Sequence, residues 1–147
     1  MKKILPPQFF YFSITLMILL HFLFPIKTLL NFPVTSIGIV LFVSGAMMAI
    51  KEKKRFARVK TNIKTFDKPD KLLTDGLYKY SRNPMYLGFV IALMGVWLLL
   101  GSLSPLLMVL IFIFITNTGY ISFEEKMMGD TFGELYFAYK NKTRKWI

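Results

Sequence analysis

From Phe9 to Ile26 the chain carries no Asp, Glu, Lys or Arg. A run of roughly 18 apolar residues is long enough to cross the hydrocarbon of a bilayer as one α-helix. It is too long for the apolar part of a signal peptide, and no small-x-small cleavage site follows, so a retained transmembrane helix is expected. Further apolar stretches run from about Val34 to Ile50, from about Tyr86 to Leu100 and from about Pro105 to Phe123. With 54% hydrophobic residues and a mean hydropathy of +0.50, the chain is too apolar for an ordinary soluble domain. Its 147 residues correspond to one domain. The expected fold is an all-α integral membrane protein of about four transmembrane helices, with a cytoplasmic loop and a C-terminal amphipathic helix.

The placement of charge sets the expected topology. Of the 19 Lys and Arg, only Lys27 falls between the first and second apolar stretches. Lys2 and Lys3 precede the first stretch, the segment from Lys51 to Arg82 carries the majority, and the remainder follow Phe123. By the positive-inside rule both termini and the central loop are cytoplasmic, which requires an even number of spans. The net charge of +11 then reads as a topology signal and an attraction to anionic headgroups, and nucleic acid is not an expected partner. The chain has no Cys and one His, so neither a disulfide nor a His/Cys metal cluster is expected. His21, inside the first span, is read as a neutral, hydrogen-bonded packing residue.

Small residues mark helix contacts. Gly38, Ser44, Gly45 and Ala46 lie in the second span. Gly88, Ala92 and Gly95 share one face of the third, where two backbones can approach closely. The link Gly101-Ser102-Leu103-Ser104 is so short that the third and fourth helices must form an antiparallel hairpin. Pro84 suits a first helical position, where its missing N–H costs nothing, and Asn83 is a suitable N-cap. Such a helix start presents free N–H groups to an anionic ligand. On the fourth helix Asn117 and Glu124 are expected on one face, and of the adjacent Glu124 and Glu125 only one should face the bundle. An acid there would find a partner in Arg82. Phe132, Tyr136 and Tyr139 follow at helical spacing and predict an interfacial helix, either an aromatic anchor or a lid over a pocket.

Taken together, Leu72-Leu73-Thr74-Asp75-Gly76-Leu77-Tyr78, Arg82-Asn83-Pro84-Met85-Tyr86-Leu87-Gly88, Glu124-Glu125, Phe132-Gly133 and Tyr136 to Tyr139 resemble the isoprenylcysteine carboxyl methyltransferase family and its phospholipid methyltransferase relatives. The resemblance covers the segment from about Lys51 to Trp146. It implies an integral membrane methyltransferase that uses S-adenosylmethionine and methylates a lipophilic acceptor, an isoprenylcysteine-like carboxylate or a lipid headgroup. Carried over by motif, Asp70, Lys71, Leu72, Leu73, Tyr78, Asn83, Pro84, Met85 and Tyr86 would surround the cofactor, with Glu124 binding it from the fourth helix.

Arg82 would orient the cofactor or the polar head of the substrate, and Glu125 or Tyr120 would serve as base if the acceptor is an amine or hydroxyl. Two positions differ from the eukaryotic carboxyl methyltransferases: Asn83 stands where they have His, and Tyr120 where they have an Arg that meets the substrate carboxylate. The expected organisation is one membrane-embedded domain over 1–147, with two spans in 1–50 and the cofactor-binding loop, hairpin and C-terminal helix in 51–147. The expected location is a bacterial inner membrane. Two other classes compete. A small four-helix transporter would place a charge at mid-membrane, whereas here the acids cluster at one surface. A non-enzymatic assembly protein would not need the two constellations around Arg82 and Glu124 together.

Overall fold

The computed structural model describes residues 4–59 and 67–147. Lys2, Lys3, Lys60 and Lys64 of the charge pattern lie outside the described residues. Six α-helices carry the described chain: α1 (Pro6–Leu23), α2 (Ile37–Arg58), α3 (Pro84–Leu100), α4 (Ser104–Ile115), α5 (Ser122–Phe132) and α6 (Glu134–Lys142). A π-helical turn, Thr116–Ile121, fuses α4 to α5 without a break. No β-strand occurs among the described residues beyond two isolated bridges, Thr28 with Ser102 and Ser81 with Arg144.

This is an all-α, multi-pass membrane protein. Three helical stretches are long and apolar enough to cross a bilayer: Pro6–Leu23, Val34–Arg58 and Ser104–Phe132. The fourth apolar helix, Pro84–Leu100, has 17 residues. At 1.5 Å per residue it falls a little short of the roughly 30 Å hydrocarbon core, so three of the four expected spans reach full length. Proline at its start and Gly101, in the left-handed conformation at its end, set that length. The second span does not stop near Ile50 but continues as helix to Arg58, through good helix formers such as Lys, Glu, Arg and Ala. The central loop is shorter than expected by that extension.

α2 and α3 pack antiparallel along the expected small-residue seam. A Cβ at Gly88 would stand 2.7 Å from the Gly45 carbonyl oxygen and 2.9 Å from the Ala49 amide nitrogen. Gly95 meets Gly38 in the same way further along. Ser44 is not in the seam; it is exposed, and its hydroxyl donates to the Leu41 carbonyl at 3.0 Å. α1 packs on α3 and α4 through a cluster of rings, with Phe10 stacked on Phe89 at 4.8 Å and Phe9 on Phe112 at 5.1 Å.

At the end of the bundle away from Arg82, the link between α1 and α2 is tied to the hairpin turn. His21 Nδ1 and Ser102 Oγ share a hydrogen bond of 2.8 Å, in keeping with a packing role. Leu29 and Leu30 donate from their amides to the Gly101 carbonyl, and the Leu103 amide donates to the Lys27 carbonyl. These bonds satisfy backbone groups that would otherwise face lipid.

Candidate active site

At the basic end, where α1 begins, α2 ends, α3 begins and α5 begins, the helices surround a cavity of about 340 Å³. That volume is within the usual range of small-molecule sites, about 300–1,000 Å³. One part of its wall is polar: Asp67, Lys71, Tyr78, Arg82, Asn83, Tyr86, Glu124, Glu125, Tyr136 and Tyr139. The other part is apolar, with Leu5, Pro6, Pro7 and Tyr11 from α1 and its lead-in, Ala49, Ile50 and Phe56 from α2, and Phe89 from α3.

The residues singled out in the sequence divide into two groups. Lys71, Leu73, Tyr78, Arg82, Asn83, Met85, Tyr86, Glu124 and Glu125 line the cavity. Asp70, Leu72, Pro84 and Tyr120 do not line it. Pro84 is fully buried at the start of α3, a position that suits its fixed backbone. Tyr120 stacks on Tyr86 with ring centroids 6.4 Å apart, and its hydroxyl donates to the Ile4 carbonyl at 3.0 Å. The structure therefore does not carry Tyr120 into the cavity as a base. Its ring packs behind Tyr86, because the π-helical turn adds a residue to that turn and rotates its register.

The same turn separates Asn117 from Glu124. Asn117 Oδ1 accepts from Trp146 Nε1 at 3.4 Å, whereas Glu124 Oε1 accepts from the Tyr86 hydroxyl at 2.8 Å inside the cavity wall. Ser122 Oγ reaches back five residues to the Asn117 carbonyl, at 2.9 Å, as the wider turn allows. The two residues expected on one face serve different contacts.

Both acids of the Glu124-Glu125 pair face inward, not one. Their directions differ by about 100°, and α5 lies in a groove where each direction meets a partner. Glu124 turns to α3 and Glu125 to the loop before it and to α6. Glu125 Oε1 accepts from Arg82 Nη2 at 2.7 Å and Nε at 3.2 Å, while its Oε2 pairs with Lys140 Nζ at 3.0 Å. Arg82 also donates through Nη1 to the carbonyls of Lys140, at 3.0 Å, and Thr143, at 2.5 Å. Its guanidinium is committed to protein partners on three sides.

Asn83 does not cap α3 through its side chain. Its amide Nδ2 donates instead to the Lys145 carbonyl at 2.9 Å, and the Arg82 amide donates to the Arg144 carbonyl at 2.9 Å. The segment 143–146 is thereby sewn onto 81–83, and the sequence offered no spacing from which that pairing could be read.

Gly133, with φ +52°, ends α5, so Phe132 does not share a helix with Tyr136 and Tyr139. The reversal folds α6 back over the cavity. Tyr136 and Tyr139 line it, and the Tyr139 hydroxyl donates to the Tyr78 carbonyl at 2.7 Å. Burial pushes the Tyr136 phenol up to about 12, with the Glu125 carboxylate adding to the effect. Burial likewise raises Tyr139, and it raises Tyr78 well above the ordinary tyrosine range with Glu52 and Glu124 nearby. All three phenols are neutral at physiological pH.

The sequence missed the contribution of α1 and α2. Apart from Lys53 their residues are ordinary apolar positions, and only the seam of α2 on α3 brings Ala49, Lys53 and Phe56 to this place.

The family profile described as Phospholipid methyltransferase matches residues 34–135, well over half of the chain. A Protein-S-isoprenylcysteine O-methyltransferase of Schizosaccharomyces pombe is 34% identical over 76 residues, which are 52% of this chain and 32% of that protein. A protein of the same name from Saccharomyces cerevisiae is 42% identical over 84 residues, 54% of this chain and 34% of that one. An uncharacterized protein of Haemophilus influenzae is 38% identical over 63 residues, 43% of this chain and all of its own length. The matched segments cover about a third of each yeast relative. No solved structure matches the chain. The profile takes in α2, the loop after it, α3, α4, α5 and the turn into α6, the elements that build most of the cavity, and the chain accordingly belongs to the phospholipid methyltransferase family.

Proposed function

We propose that this protein is a membrane methyltransferase that takes its methyl group from S-adenosylmethionine and delivers it to a lipophilic acceptor. The observation that carries the reading is the two-sided cavity, in which the family's motif residues form a polar wall and α1 and α2 supply an apolar one. When bound, S-adenosylmethionine supplies a methyl on an electrophilic sulfonium for in-line displacement.

The residues suit that ligand. Glu124, anchored by Tyr86, offers a carboxylate to an ammonium group or to ribose hydroxyls. The first amides of α3, which have no intrahelical acceptor, suit a carboxylate. The rings of Tyr78 and Tyr86 offer faces to an adenine or to a sulfonium. Tyr136 and Tyr139 cover the site and exclude water, which strengthens each of these contacts. Lys71 and Leu73 line the cavity from the same loop that carries Asp70 and Leu72 beside them.

The acceptor favoured by this geometry brings its own charge. Glu125 spends both oxygens on cations, and the Tyr120 hydroxyl donates to a backbone carbonyl, so neither presents a base to the cavity. A carboxylate needs none, and the yeast relatives are named Protein-S-isoprenylcysteine O-methyltransferase, which makes an oxygen the acceptor atom there. α1 and α2 pack chiefly on α4 and α3 respectively, and in this reading the lipophilic acceptor enters between them from the bilayer, past Tyr11 and Ile50 of the cavity wall. By the positive-inside rule the basic end and both termini lie in the cytoplasm, with α3 as the fourth span of one domain over 1–147 in a bacterial inner membrane.

The test is titration of the detergent-purified protein with S-adenosylhomocysteine, beside Glu124→Ala and Asn83→Ala. Saturable binding is expected in the wild type, weakened about tenfold to a hundredfold by Glu124→Ala, the scale of one or two charge-assisted hydrogen bonds. Binding would then justify following labelled methyl into lipid extracts. A folded wild type that binds neither cofactor nor product would refute the reading.

A further inference from the structure

Glu52 is the most deeply buried charged residue described, 1% exposed, on the face of α2 that packs on α3. Its Oε2 has no hydrogen-bond partner, and the nearest cation is Arg55 Nη1, one turn on, at 3.9 Å. A carboxylate in such a place costs stability, and an ion pair at that distance does not repay the cost. Arg55 spends its hydrogen bonds elsewhere. Nη1 donates to the main-chain carbonyl of Asp75 at 3.0 Å, and Nη2 pairs with the Asp75 carboxylate. That carboxylate is 71% exposed, so the pair contributes little to stability. Neither half of the arrangement is explained by what it adds to the fold.

Its geometry points to Tyr78. The Asp75 carbonyl that accepts from Arg55 also accepts from the Tyr78 amide, at 3.1 Å, and so closes the turn Gly76–Lys79. The guanidinium lies 6.0 Å from the centre of the Tyr78 ring, and Phe56 meets that ring edge-on at 6.1 Å. Gly76, with φ +59°, has no room for a Cβ, which would strike Arg55 Nη1. The turn is thus pressed against the arginine at close range. Tyr78 itself is 8% exposed and lines the cavity, with its carbonyl held from the far side by Tyr139.

We propose that Arg55, one turn after the buried Glu52, is a positioning residue that sets the 75–78 turn and thereby holds Tyr78 in the cavity wall. In the identity of the ligand that Tyr78 meets, the inference rests on the methyltransferase reading. Glu52 Oε2, at 3.9 Å and without a hydrogen bond, draws the guanidinium inward by charge alone, against the tendency of a long basic side chain at a helix end to reach for solvent. Lysine could not serve, since one ammonium cannot span a carbonyl, a carboxylate and the Glu52 oxygen in this fork.

The test compares wild type, Arg55→Ala and the double variant Glu52→Gln with Arg55→Ala, as full chains in detergent. Three readouts are taken: thermal midpoint, amide hydrogen exchange across 75–81, and titration with S-adenosylhomocysteine. Arg55→Ala alone strands a buried charge and lowers the midpoint, and the double variant removes that charge and restores it. In both variants the amides of Tyr78, Tyr80 and Ser81 are expected to exchange about tenfold faster, and the ligand to bind about tenfold weaker, the scale of one charge-assisted hydrogen bond. A double variant with restored stability, wild-type exchange and wild-type affinity would overturn the proposal and leave Arg55 as a mere neutraliser of Glu52. A wild type that binds no ligand would sink the methyltransferase reading, and the exchange data would still decide for or against the clasp.

Discussion

Arg82→Ala is the substitution with the largest expected effect on the shape of the site. The guanidinium is 11% exposed and joins three parts of the chain: the start of α3, Glu125 on α5, and the carbonyls of Lys140 and Thr143 where α6 runs into the last residues. Glu125 keeps Lys140 after the change, so it is not left as an orphan charge. What the segment 143–146 loses is the bond to the Thr143 carbonyl, the other carbonyl, that of Lys140, belonging to α6. At about 1.5 kcal/mol for a bond from a charged donor, the loss corresponds to about a tenfold increase in the population with this segment lifted away.

The remaining ties, from the main-chain amide of residue 82 to the Arg144 carbonyl, from Asn83 to Lys145, and from Trp146 and Lys145 to Asn117, keep the opening local. Because the chain has no Cys, a single Thr143→Cys substitution supplies a clean reporter at a position that is 7% exposed. Its labelling rate by a maleimide, at a concentration where opening is at equilibrium, should rise about tenfold in the Arg82→Ala background. Equal rates in the two backgrounds would refute the latch and return Arg82 to the role of a ligand-facing cation.

Gly88→Ala should lower the thermal midpoint in detergent, with a loss of about 1–3 kcal/mol, because the new methyl meets the backbone of Gly45 and Ala49, which cannot move aside. An unchanged midpoint would mean that α2 and α3 are not in closest contact there. The phenol of Tyr136, neutral in the fold and raised from 10.0 to about 12, contributes stability that is present below pH 10 and is lost as pH rises toward 12, because the unfolded chain ionises first. Tyr136→Phe should flatten the alkaline limb of the stability profile over that interval, and a limb of unaltered slope would count against the buried placement.

A good part of this architecture was legible in the residues. The apolar runs and the confinement of Lys and Arg to one side define helices and their order, because the bilayer requires backbone groups to be satisfied within each segment. The glycine faces at 45 and 88 located the seam, since close approach of two backbones tolerates no side chain between them. The motif around Arg82 and the Glu124-Glu125 pair pointed to the place where the cavity lies.

What escaped the sequence has three physical causes. The π-helical turn shifted the register after Thr116, so periodicity misjudged the shared face of Asn117 and Glu124. Gly133 broke the aromatic stripe and folded α6 over the site, a reversal that depends on a positive φ rather than on any pattern of apolar residues. The latch of 143–146 on 81–83 and the clasp of Glu52 and Arg55 on Asp75 join residues far apart in the chain through backbone carbonyls. Every residue has a carbonyl, so composition carries no trace of which one a guanidinium will find. The sequence determined which segments enter the membrane and which end gathers the polar residues. Only the packing of α2, α3, α5 and α6 decided which of those residues face the cavity and which are spent holding it together.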